Sequence, residues 1–222
     1  DGCVAATNSG DLNILEDVAS STGNVGVYGF NNVNLGNGTN TAAQIRADLA
    51  GQTASVVAQN GSIVDNRVSV APEADVQATN VVLRAGTAIG AAANPLEIDA
   101  TNLAARAAGG GANIDDVNGG VTVTSLSTLA CGDFPVTRID GVTATGDVCV
   151  AATNSGDLNV LEDIAGANAG AYAFGNVNLG NGTNTAAQIR ATGTASVVAQ
   201  NGAIVDNRTT LAPEADIQAA DV

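Results

Sequence analysis

An all-β chain wound as a β-solenoid is the fold class that this sequence predicts. Three observations carry the prediction: the sequence restarts itself, its apolar runs are short and alternate with polar residues, and its hydrophobic residues are almost all aliphatic.

The restart is the strongest of the three. Cys3 to Asn13 (CVAATNSGDLN) recurs unchanged at Cys149 to Asn159, and Val33 to Ala47 recurs unchanged at Val177 to Ala191. Thr53 to Gln77 matches Thr194 to Gln218 at 20 of 25 positions, with apolar replacing apolar at Val70/Leu211 and Val76/Ile217. The offset between copies falls from 146 to 144 to 141, which places short deletions in outward turns. The chain therefore reads as one complete solenoid repeat, residues 3–148, and the first half of the next, residues 149–222. A stack in which each layer touches only its neighbours tolerates such a cut anywhere, so the expectation is a segment of a longer repetitive fibre.

Within the unit, β-like runs fall at Asn32–Leu35, Ala54–Ala58, Asp75–Leu83, Leu96–Asp99, Gly120–Leu126, Val136–Ile139 and Val148–Ala152, separated by Gly, Asn, Asp or Pro. Alternation such as Val121-Thr122-Val123-Thr124 puts one set of side chains inside and the other in water. Val56, Ile63, Val81, Leu83, Ile89, Leu96, Ile98, Val121 and Val123 are the inward candidates. Ala42–Ala50 and Leu103–Ala108 have helix-favouring composition, but the surrounding Gly and Asn argue for strands and turns. Coils of roughly 20 residues at ~4.8 Å spacing give about ten coils here, about seven of them per repeat over ~33 Å.

Aliphatic and aromatic residues with cysteine make up 45% of the chain and aromatics only 2%, so the core is built from Ala, Val, Leu and Ile. Twenty-two acidic residues stand against seven arginines, with no Lys or His, for a net charge of −15. Such a surface repels nucleic-acid phosphate and anionic lipid. No apolar run approaches the ~18 residues of a membrane helix.

Oxygen ligands crowd Asn8-Ser9-Gly10-Asp11, its copy at Asp157, and Asp115-Asp116, which makes these aspartates candidate Ca²⁺ ligands; the alternative is solvated turns. The calcium β-roll nonapeptide is absent. A carboxylate set for glycan chemistry would draw on Asp11, Glu16, Asp17, Asp115 and Asp116, but Asp11, Glu16 and Asp17 are copied in the second unit, and no Lys or His stands by as a base. The expectation is therefore no catalytic site and no cofactor. Arg46/Arg190 and Arg67/Arg208 are equivalent in the two copies; a ligand-binding role is one reading, but Asp65-Asn66-Arg67 and Asp206-Asn207-Arg208 are expected to be surface ion pairs that relieve stacked acidic repulsion. Pro72-Glu73 and Pro213-Glu214 are expected at corners between strands.

The stretch Ile89-Gly90-Ala91-Ala92-Ala93-Asn94-Pro95-Leu96-Glu97-Ile98-Asp99, with Asn102-Leu103-Ala104-Ala105 and Gly119-Gly120-Val121-Thr122-Val123, resembles filamentous haemagglutinin-like adhesins of the two-partner secretion type. The resemblance is sharpest over Val82 to Leu126. It implies a right-handed parallel β-helix, exported by a Gram-negative bacterium, in an extracellular or cell-surface fibre that serves adhesion, aggregation or matrix formation. The partners it implies are further copies of the repeat, other fibres or cell-surface glycans.

Three cysteines remain. Cys3 and Cys149 are one position in two copies, and Cys131 precedes Cys149 by 18 residues, close to the assumed coil length. The expectation is a Cys131–Cys149 disulfide with Cys3 bonded to an upstream repeat; the alternative is three reduced thiols packed as small hydrophobes.

Overall fold

The computed structural model describes residues 1–39, 43–67, 73–183, 187–208 and 215–222. Among them there is no helix; the chain is all-β and dominated by one large parallel sheet, an arrangement compatible with a β-solenoid. The first strands are β1 (Gly2–Ala6), β2 (Leu12–Ile14), β3 (Val18–Ser20), β4 (Val25–Gly29), β5 (Val33–Leu35) and β6 (Ile45–Ala47). They are followed by β7 (Thr53–Ala58), β8 (Ile63–Asp65), β9 (Val76–Ala85), β10 (Leu96–Ala107), β11 (Ala112–Asp116) and β12 (Val121–Val123). Next come β13 (Ser125–Ser127), β14 (Arg138–Asp140), β15 (Val142–Ala144), β16 (Val148–Ala152), β17 (Leu158–Val160) and β18 (Ile164–Gly166). The last are β19 (Ala169–Ala173), β20 (Val177–Leu179), β21 (Ile189–Ala191), β22 (Ala195–Ala199), β23 (Ile204–Asp206) and β24 (Ile217–Gln218). Leu103–Ala107 and Ile45–Ala47, where composition favours helix, are strands; Ala42, Pro72, Pro213 and Glu214 lie outside the described residues.

Aliphatic side chains stack in rows because a parallel ladder puts equivalent positions of successive turns side by side. Val4, Val27, Val56, Leu83, Ala105, Val142, Ile164, Ile189 and Ile217 form one such row, each the register partner of the next. From Val27 to Ile189 every member is buried. Burying a Val, Leu or Ile contributes ~1.5–3 kcal/mol, and the row repeats that gain turn after turn. All nine residues expected to face inward are buried.

The steps along this row span 22 to 29 residues, and the step from Ala105 to Val142 spans 37. They exceed the ~20 residues assumed from sequence, so five steps, rather than about seven, carry the row from Val4 to Val142. The extra residues sit in the outward turns between short strands.

Two departures from a simple stack shape the surface. First, Leu103 pairs with Val123 and Ala105 with Val142, so one residue of β10, Ala104, spans the gap where residues 124–141 leave the ladder. That excursion folds back as the antiparallel hairpin β13–β14, with Leu126 opposite Ile139. Second, β16, the copy of β1, pairs along the whole of β11. Ala112 of β11 pairs with Ile89, itself bridged to Ile63 of β8, while Ile114–Asp116 pair with Leu96–Ile98 of β10. The five-residue strands of the second copy thus stack on the side where the first copy places its short strands. β1 and its copy β16 face different sides of the stack.

Candidate functional site

The aspartates singled out in the sequence do not converge. Asp11 precedes β2 and accepts from the backbone N–H and the side-chain amide of Asn32, both at 3.1 Å, while the Asn32 side-chain oxygen accepts from Ser62 N–H at 2.8 Å. Asp157 does the same with Asn176, whose oxygen accepts from Ala203 N–H at 2.8 Å. These are ladders of turn residues, each carboxylate satisfying the backbone of the next turn. The donated backbone hydrogen bond holds both carboxyls below the usual range. Asp115 faces outward and accepts from the Thr153 hydroxyl at 2.9 Å. Asp116, its neighbour on β11, faces inward, accepts from Ala100 N–H at 3.1 Å, and keeps its second oxygen buried without a partner. Burial pushes its carboxyl up to about 7.

Among the described residues, three carboxylates bring oxygens within 4.8 Å of one another only at Asp65, Asp75 and Glu97. Asp65 ends an inward row after Ile14 and Leu35. Strand pairing holds Asp75 in place: its N–H donates to the Glu97 carbonyl, and Ile45 N–H donates to its own carbonyl, both at 2.8 Å. Arg67 enters this cluster fully buried, its Nε 2.7 Å from Asp75 and its Nη2 donating to the Glu73 carbonyl at 2.8 Å. Its backbone N–H donates to Asp65 at 2.7 Å, and Asn94 donates to the other Asp65 oxygen at 2.8 Å. Burial pushes Asp75 up to about 8, a hydrogen bond with Glu97 and repulsion from Asp65 add to it, and Arg67 opposes. One guanidinium thus faces the carboxylates of this cluster, and burial opposes the ionisation of Asp75.

This corrects the surface ion pair expected for Arg67. A surface pair does form at Arg46–Asp17, 3.4 Å apart and about a third exposed on each side. Arg208, the copy of Arg67, is also buried, with Asp216 and Asp206 as partners. The recurrence of Asp65, Arg67 and Asp75 at Asp206, Arg208 and Asp216 was the available signal. Glu97 gave none, because its stretch occurs once in the chain.

The cysteines form a second site. The disulfide joins Cys3 to Cys131, with Cα atoms 5.9 Å apart, and Cys149 is free and exposed. The expected Cys131–Cys149 bond fails because Cys131 lies at the tip of the excursion rather than one turn away, while Cys149 stands on β16, on another side of the stack. The hairpin lies over the outward column Cys3, Gly26, Ser55, Val82 and Ala104, whose members are successive register partners. Leu126 and Ile139 pack on Val82 and Ala104. Cys131 and Phe134 pack on Tyr28 and Val57, with the Tyr28 and Phe134 rings 5.2 Å apart. The buried Tyr28 hydroxyl shares a 2.8 Å hydrogen bond with Ser55 and donates to the Leu129 carbonyl. Gly26 is required under this strap, since a Cβ there would come 2.9 Å from the Tyr28 ring.

A surface groove of about 600 Å³ is lined by Thr143, Ala165, Arg190, Thr192 and Gln218 among others, with no carboxylate. Among the described residues no helix is long and apolar enough to cross a membrane. Comparison with protein-family models, with curated proteins and with solved structures finds no match for this chain.

Proposed function

We propose that the chain is a segment of a structural β-solenoid fibre, a right-handed parallel β-helix that works by length, stiffness and surface. The observation that carries this reading is the unbroken register between copies: β11 passes to β16, β12 to β17 and β15 to β18 with parallel partners throughout. A stack that continues across the repeat boundary has no internal reason to stop, and parallel crossovers in one sheet are almost always right-handed. The recurring Asp–Asn turn ladders and the net charge of −15 give the outside a repeated acidic, hydrogen-bonding surface. The disulfide supports an oxidising, extracellular or cell-surface setting. The resemblance of Val82–Leu126 to filamentous haemagglutinin-like repeats adds an adhesive or matrix role on a Gram-negative cell surface.

Chains carrying one, two and three tandem repeats test the reading by small-angle scattering and fibre diffraction. Length should rise by roughly 25 Å per repeat at constant cross-section, with a ~4.8 Å spacing along the long axis. Growth of the cross-section with repeat number, or the absence of that axial spacing, would sink it.

A further inference from the structure

The second copy carries the strapped face of the first without its strap. Cys149, Gly170 and Ser196 are successive register partners, as are Cys3, Gly26 and Ser55, and Tyr172 pairs with Val198 as Tyr28 does with Val57. Tyr28, on a strand paired on both sides, is 0% exposed under the strap, whereas Tyr172, on a strand likewise paired on both sides, is only half-buried, and Cys149 is exposed. The Tyr172 hydroxyl, with no hairpin carbonyl above it, turns to the Gln200 side chain. Gly170 leaves the space beside the Cys149 sulfur open, since even a Cβ there would be 3.5 Å from it.

We infer that the face formed by Cys149, Gly170, Tyr172, Ser196 and Val198 is a docking site for the hairpin of a further copy of this repeat, fastened by a disulfide from Cys149 to that hairpin's cysteine. The occupant follows from the covered face: the same residues in the same register already hold Leu129, Cys131 and Phe134 in the first copy. The direction follows too, because the hairpin leaves the ladder at β12 and reaches back along the stack to β1. Asp216–Val222 align with Asp75–Val81 without a gap, identical at four of seven positions, so a copy of Val82 onward set after Val222 keeps the register. In forming the bond, the two thiols lose two protons and two electrons to a low-molecular-weight disulfide, which leaves as two thiols. Since β1 and β16 face different sides, successive straps lie on different sides of the stack. Partial burial and the nearby Asp115 raise the Cys149 thiol, which keeps it protonated and slow to react until another sulfur is held against it.

The test is the full chain extended after Val222 by a second copy of residues 82–152, oxidised with glutathione disulfide and mapped under non-reducing conditions. The expected product links Cys149 to the added copy of Cys131, alongside an intact Cys3–Cys131 bond that reports correct folding. In the same chain Val198→Arg, which spoils the apolar contact for the hairpin, should slow formation of the new bond at least tenfold and leave Cys3–Cys131 unchanged. Three results would overturn the inference: Cys149 alkylatable in the folded extended chain, a Cys149–Cys149 dimer as its product, or no effect of Val198→Arg. The docking site rests on the solenoid repeat and the strapped face, so its failure with the axial ~4.8 Å spacing intact would leave the fibre reading standing.

Discussion

Asp116 stands beside Ile98 in an inward row that is otherwise aliphatic, running Val18, Ile45, Val76, Ile98, Asp116, Ala152, Ala173 and Ala199. A carboxylate in that place is costly when charged, because one oxygen is buried without a hydrogen-bond partner. Asp75 is buried too, although both its oxygens accept hydrogen bonds, one from Arg67 Nε and one from the Glu97 N–H.

Both groups are therefore raised in the folded chain, to about 7 for Asp116 and about 8 for Asp75, against 3.8 unfolded. The folded state binds more protons than the unfolded one between those values, so stability falls as pH rises from about 4 through 8. The melting temperature should rise on acidification from pH 8 to pH 5, the reverse of ordinary acid denaturation. Asp116→Asn, which keeps the acceptor for Ala100 N–H and removes the titration, should flatten the lower part of this profile. A melting temperature that falls steadily over the same range would contradict the burial of both carboxyls.

Removing Arg67 and removing Arg46 should have very different costs. Arg67→Ala strands Asp75 and Asp65 in a buried site and should destabilise by roughly 3–5 kcal/mol in urea titrations. Arg46→Ala breaks a surface pair about a third exposed on each side and should cost ~1 kcal/mol or less. Equal effects would mean that Arg67 is solvated in solution.

Val56→Asp places an unpaired charge between Val27 and Leu83 in the inward row that runs from Val4 to Ile217. It should destabilise by roughly 3 kcal/mol or more, while Ser196→Asp, on an exposed outward position, should stay within about 0.5 kcal/mol. Guanidinium midpoints of the two variants decide whether the inward and outward faces are as described.

The chain has two tyrosines and no tryptophan, so tyrosine absorbance reports the strap directly. Desolvation under the hairpin raises Tyr28, against the opposing hydrogen bonds of Ser55, Thr128 and Leu129. An alkaline titration should show one late-ionising tyrosine, and Phe134→Ala together with Cys131→Ala should bring it down by uncovering the ring. No change in that double variant would show that the hairpin does not seal Tyr28.

What the sequence alone determined is whatever depends on local period and repetition. Alternation along Val121-Thr122-Val123 sets which face is inward, and a recurring Cys3–Asn13 motif sets where the second unit starts, because both effects act over a few residues. The inward positions of Val56, Leu83 and Ile98 were legible for that reason. Only the tertiary structure decided how many residues make one turn, since that depends on outward loops whose length the core does not constrain. The disulfide followed from it: eighteen residues looked like one turn, but the chain leaves the ladder after Val123 and carries Cys131 back to Cys3. Arg67 and Asp75 were likewise readable as a recurring pair, but not as a buried one. Their burial is set by the pairing of Asp75 with Glu97 and Ile45, contacts between turns that no local pattern encodes.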